Sequence, residues 1–161
     1  MATNDLIQYL ESTDSEGNAY SSATSHRRRV EKFIAAGTIV AGDVVAFSFA
    51  SGANPGDAVL NVIKSTADKH CVGVALAGAS TGDLIDVCLG GVVEAKVDGK
   101  NNAGNAAISS GDFLAQGDVA GTFYKYTVGT DAGVDAIAVD DKTSAATEAA
   151  GIKTVILINK F

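Results

Sequence analysis

Gly37-Thr38-Ile39-Val40-Ala41-Gly42-Asp43-Val44-Val45-Ala46 and Ala106-Ala107-Ile108-Ser109-Ser110-Gly111-Asp112-Phe113-Leu114-Ala115 share one pattern: two small residues, Ile, two further residues, Gly-Asp, two apolar residues and Ala. A shorter version, Ser80-Thr81-Gly82-Asp83-Leu84-Ile85, lies between them. The pattern reads as a turn that opens a strand: Gly takes the left-handed position, Asp ties down local backbone donors, and an apolar pair starts the strand. A carboxylate recurring after Gly raises the question of a Ca²⁺ site, but these loops lack the clustered oxygen ligands such a site requires.

Outward from these turns, apolar runs of strand length recur: Asp43–Phe49, Ala58–Ser65, Cys71–Leu76, Leu84–Leu89, Val92–Val97, Asp112–Ala115, Phe123–Val128, Ala136–Val139 and Lys153–Asn159. Gly-rich segments such as Ser51-Gly52-Ala53-Asn54-Pro55-Gly56 and Asp98-Gly99-Lys100-Asn101-Asn102 separate them. Thr143–Ala149 is short and reads as a helix or a loop. Of the 161 residues 47% are hydrophobic but only 6% aromatic, so burial must come from small and β-branched side chains, which suit closely packed sheets. Eighteen Gly against one Pro supply the positive φ that tight turns need. The expectation is a mainly β chain: a single small β-barrel or sandwich-like domain of short antiparallel strands over 37–161, preceded by an N-terminal arm and basic segment over 1–36.

The arm divides in two. Leu6-Ile7-Gln8-Tyr9-Leu10 is an apolar patch, and Glu11 to Ser25 is crowded with Ser, Thr, Asp, Asn and Gly, too polar to offset its ordering entropy by burial. Leu6, Ile7, Tyr9 and Leu10 at the end of a polar tether are docking candidates for a neighbouring subunit or another protein; the other reading is a short strand folded back on its own domain. Arg27-Arg28-Arg29 follows. The planar guanidinium fork suits carboxylates on a partner, and a solvated basic turn is the alternative.

The formal charge is −7, which opposes association with nucleic acid or an anionic membrane surface. No apolar run approaches the ~20 residues that span a bilayer, and Met1-Ala2-Thr3-Asn4-Asp5 has no basic and apolar leader pattern, so the expectation is synthesis in the cytoplasm or export by a route the sequence does not show. Cys71 and Cys88 fall on strands expected to pair; they read as buried apolar residues, with a bridge geometrically conceivable. His26 and His70 stand far apart and His70-Cys71 are adjacent, so no metal site is expected. No nucleophile elbow, phosphate loop or His-Glu-x-x-His pattern occurs, and Asp140-Asp141 are sequence neighbours rather than an acid–base dyad. The chain is expected to be no enzyme and to use no cofactor.

Cys71-Val72-Gly73-Val74-Ala75-Leu76-Ala77-Gly78-Ala79-Ser80-Thr81-Gly82-Asp83-Leu84-Ile85-Asp86-Val87-Cys88-Leu89-Gly90-Gly91-Val92-Val93, flanked by the turns at Gly42-Asp43 and Gly111-Asp112, resembles tailed-phage capsid decoration or cement proteins. The resemblance covers Gly37 to Phe161 and leaves the arm outside. It implies a compact β domain, commonly trimeric, on the outer face of an icosahedral capsid in the virion, binding the major capsid protein and clamping its subunits after assembly in the host cytoplasm. The competing expectation is a carbohydrate- or receptor-binding β module on a virion or cell surface. Its stacking platform would be Tyr124 and Tyr126, which share a strand face beside Phe123; an ordinary packing pair is the plainer reading of that cluster.

Overall fold

The structure is a computed structural model that describes residues 28–49, 56, 59–66, 70–98, 100–101, 104–105, 107–129, 131, 133–142 and 151–158. The elements these residues form are strands: β1 (Arg29–Ala35), β2 (Val44–Phe47), β3 (Asn61–Lys64), β4 (Cys71–Ala75), β5 (Leu84–Val97), β6 (Lys100–Asn101), β7 (Gly104–Asn105), β8 (Phe113–Gln116), β9 (Phe123–Lys125), β10 (Ala136–Ala138) and β11 (Gly151–Leu157). The chain is mainly β and barrel-forming, as its turn-punctuated apolar runs predict. Thr143–Ala149 lies outside the described residues.

The strands close into two rings that share one strand. The first runs β1-β3-β2-β4-β5 and closes through β1–β5; the second runs β5-β11-β10-β8-β9 and closes through β5–β9. β5 is 14 residues long and serves both. Its first half pairs with β1, from Ile34↔Leu84 to Arg29↔Gly90, and its second half with β11, from Leu157↔Gly91 to Gly151↔Val97. The change of partner falls at Gly90-Gly91, where Gly91 holds φ at 91°, a left-handed value that a side chain would oppose. Leu84–Leu89 and Val92–Val97, expected as separate strands, are therefore one strand, because the Gly pair bends the chain without turning it back.

The rings have one topology. In each, a parallel pair (β1–β3, β5–β9) is followed by four antiparallel pairs in the same order. The hydrogen bonds outside the ladders repeat as well: Ala36 N–H to Val62 O matches Asp98 N–H to Phe123 O, and Ile39 N–H to Ala79 O matches Ile108 N–H to Lys142 O. Ser48 N–H to Asn61 O matches Gly117 N–H to Thr122 O in the same way. The echo between Gly37–Ala46 and Ala106–Ala115 is thus the trace of a whole five-stranded unit occurring twice. β1, which the sequence reading did not make a strand, corresponds to the second half of β5; its Arg run obscures the alternation of exposed Val30 and Lys32 with buried Phe33 and Ala35.

Two cores follow. Phe33, Val45, Val62, Ile85, Val87 and Leu89 fill the first ring. The second core takes Val93, Val97, Leu114, Phe123 and Val155 from the second ring, together with Val44, Val74 and Cys88 from the outside of the first. The rings are therefore packed against each other, not merely tethered. This explains why all five residues of β4 are buried: one face lines the first ring and the other meets its neighbour. A bulge where β2 passes Cys71–Gly73 permits this by switching the side-chain alternation. Neither Cys71 nor Cys88 takes part in a disulfide, both are buried, and burial pushes the Cys88 thiol above its usual range. A disulfide-exchange reagent added at mildly alkaline pH is accordingly expected to label neither thiol in the folded protein and both after urea unfolding; rapid labelling before unfolding would contradict the packing.

Candidate functional site

The Gly-Asp turns are built as their sequence predicts. Asp43, Asp83 and Asp112 accept the backbone N–H of Val40, Ser80 and Ser109 at 2.9, 2.9 and 2.8 Å, and Gly42, Gly82 and Gly111 hold φ of 82°, 92° and 90°. Each turn also clasps a strand end: Gly42 N–H donates to Ala75 O and Ala75 N–H to Asp43 O, with the same reciprocal pair between the Gly82 turn and Ala35 and between the Gly111 turn and Ala138. Two of the carboxylates carry equivalent ion pairs, Asp43 with Lys64 at 3.1 Å and Asp112 with Lys125 at 2.7 Å. Asp43 alone is buried and takes a second lysine, Lys96 of the shared strand, at 2.6 Å.

The Lys125 hydrogen bond and the Ser109 N–H hold the Asp112 carboxyl below the ordinary carboxylate range. Its folded value being lower than its unfolded one, the group adds stability above the unfolded value of about 3.9 and loses that contribution as pH falls through the depressed folded value. Asp112→Asn is therefore expected to lower the melting temperature at neutral pH and to flatten its fall below about pH 4, as scanning calorimetry would read. An unchanged acid limb would show that this turn does not contribute to it.

Other expected chemistry is distributed rather than gathered. Asp140 accepts Thr154 N–H at 2.9 Å and Asp141 accepts Ser110 N–H at 2.7 Å, so each carboxylate caps a different segment. His70 is exposed while Cys71 is buried. Among the described residues no three His, Cys, Asp or Glu side chains are grouped to hold a metal ion, and no helix is long and apolar enough to cross a membrane. Tyr124 is 6% exposed and donates its hydroxyl to Asp131, and burial with that bond raises its pKa. The stacking platform expected of a glycan-binding surface is therefore not available at Tyr124, whose ring is packing material.

The remaining candidates concern the root of the arm. Leu6, Ile7, Tyr9, Leu10 and Arg27 lie outside the described residues. Arg29 is half-exposed and holds Glu31, with Nε at 3.0 Å and a terminal nitrogen at 2.6 Å from one carboxylate oxygen. Arg28 turns elsewhere: its Nε donates to Val92 O at 2.5 Å, against the second half of β5. The basic run is thus split by the alternation of β1, one guanidinium satisfied within its own strand and the other laid over the ring junction. Arg28 there lines an open groove of about 380 Å³ with Gly42, Leu76, Val93, Glu94 and Ile152. Sequence reasoning missed these groove residues. They come from four separate segments and become neighbours only because two rings share a strand.

No family model and no curated protein matches the chain. Among solved structures it is similar to the N base of the head fiber gp8.5 of bacteriophage phi29, with a TM-score of 0.55 and 16% sequence identity over 82% of this chain and 95% of that one. The likeness spans nearly all of that N-base chain at an identity that speaks for architecture rather than for residues. The chain has the fold of a phage head-fiber base.

Proposed function

We propose that this protein is a non-catalytic structural component of a tailed-phage virion that binds the outer surface of the icosahedral head, contacts the major capsid protein and stabilises neighbouring capsid subunits. The observation that carries this reading is the fold shared with the base of a phage head fiber. The acidic chain and the turns whose carboxylates are engaged in internal caps and ion pairs agree with a role played by surface shape. On this reading the protein acts as a small homo-oligomer, a trimer, so that several weak contacts engage one head together. Arg27, Arg28, Arg29 and the apolar residues Leu6, Ile7, Tyr9 and Leu10 are the contact candidates.

Co-sedimentation with heads that lack the protein tests this. The full chain is expected to pellet saturably, with no nucleic acid required. The variant Arg29→Ala removes a weak exposed contact worth about 0.5 kcal/mol per copy, which a trimer multiplies into about a tenfold weaker addition. Failure of the unaltered chain to pellet with heads would overturn the proposal.

A further inference from the structure

The two rings carry the same row of side chains, covered in one and open in the other. In the first ring Val44, Val74 and Cys88 are direct cross-strand neighbours on β2, β4 and β5. All three are fully buried, within the core that the second ring completes. The second ring repeats the row on β8, β10 and β11 as Phe113, Ile137 and Ile156, in the same register. Flanking bonds fix the match: Ser65 N–H to Val44 O corresponds to Tyr126 N–H to Phe113 O, and Ala75 N–H to Asp43 O corresponds to Ala138 N–H to Asp112 O. Side chains alternate along a strand, so Leu114, Ala136 and Leu157 fill the interior and this row faces out. Here it is open: Phe113 and Ile156 are exposed, with Ile137 half-buried between them. Contiguous exposed apolar surface of this kind marks an interaction site.

The cover of the row in the first ring shows what fits it. There the second ring reaches Val44 through Gly121, whose O accepts Val44 N–H and whose N–H donates to Ser65 O. The place of Gly121 belongs in the first ring to Leu60, because Ser48 N–H to Asn61 O matches Gly117 N–H to Thr122 O. By the same register Phe49 stands where Asp118 does. Leu60 and its neighbour Val59 are half-exposed, and Phe49, whose ring leans on Phe47, is 72% exposed. The first ring thus carries open apolar side chains at the place through which the second ring makes its contact.

We propose that Phe113, Ile137 and Ile156 of one copy receive Phe49, Val59 and Leu60 of a second copy, so that protomers join head to tail as the two rings of each chain do. The row is then covered in both rings by the same kind of unit. A contact between two different patches is heterologous and either closes into a small ring of copies or propagates. The proposal gives an interface to the homo-oligomer of the proposed function and rests on that part of the reading, not on head binding.

Analytical ultracentrifugation of the full-length chain without heads, at micromolar concentration, tests this. The parent is expected as an oligomer. Ile156→Lys and Phe49→Lys, both at exposed positions, are each expected to weaken association by at least about tenfold with the urea midpoint unchanged. Should Ile156→Lys lower that midpoint, Phe113→Ser takes its place. Val40→Lys, at an exposed site beyond the opposite end of β2 from Phe49, is expected to sediment as the parent does. Mixing the two weakened variants decides the geometry. One retains the row and the other the apolar strand ends, so the mixture is expected to form a dimer and nothing larger. A monomeric parent would overturn the proposal. So would a Phe49→Lys variant that assembles like the parent, which assigns the row to a face-to-face contact, or a mixture that stays monomeric. A chain that self-associates this way yet fails to pellet with heads overturns only the head-binding reading, and a monomer that pellets overturns only this one.

Discussion

Gly73→Ala is expected to destabilise the protein by about 3–5 kcal/mol, or to prevent folding altogether. A Cβ at Gly73 would lie 2.2 Å from Cys88 O, 2.8 Å from Val87 Cγ1 and 3.0 Å from the Cys88 carbonyl carbon. The closest of these atoms is backbone of the strand common to both rings, so relief requires moving β5 as a whole. β5 is held against such movement by β4 through Val74↔Cys88 and by β1 through Val30↔Cys88. The damage therefore spreads to both rings, and urea unfolding should show a lower midpoint in a single transition. Gly133→Ala is the control: nothing lies within 4 Å of its added Cβ and its φ is not left-handed, so the midpoint should hardly move. Equal behaviour of the two variants would mean that β4 and β5 are not this close.

Asp43→Ala is expected to cost about 2–4 kcal/mol, against about 1 kcal/mol for Asp112→Ala at the equivalent place in the second ring. Both residues cap the same turn, so the cap cannot make the difference. Burial does. The Asp43 side chain is 1% exposed and binds Lys96 and Lys64, whereas that of Asp112 is 25% exposed and binds Lys125 alone. Asp43 also lies against Gly121 of the second ring, where an added Cβ would come within 3.1 Å of its carboxylate oxygen. Around it the rings exchange main-chain bonds, Val44 N–H to Gly121 O and Gly121 N–H to Ser65 O. Its loss thus removes a linkage between rings as well as a turn. The lysines limit the penalty, because at 26% and 34% exposure their ammonium groups retain some water. Chemical denaturation of both variants decides the point; equal costs would show that the Asp43 cluster contributes no more than its cap.

Local chemistry was the legible part of the sequence. The Gly-Asp turns follow from residue types alone, since Gly supplies the left-handed backbone and Asp the capping oxygen within four residues. The apolar runs gave most of the strands for the same reason. Two features escaped because they depend on distant partners. β1 hides behind Arg27-Arg28-Arg29, and only its pairing with β5 makes it a strand. Gly90-Gly91 looks like a turn but is a bend, which becomes evident only when β1 and β11 are seen to meet the same strand on either side of it. The groove was illegible for a related reason: Gly42, Leu76, Glu94 and Ile152 have no common spacing and are assembled by the sharing of β5.

On the proposed function, the protein works by attaching its folded surface to the outside of a phage head. Reconstruction of heads with and without the full-length protein by electron cryomicroscopy tests it most directly. The expected result is added density on the outer shell that fits the two-ring module and touches major capsid subunits. Heads whose outer surface is identical in the two maps, or density confined to the interior, would contradict it.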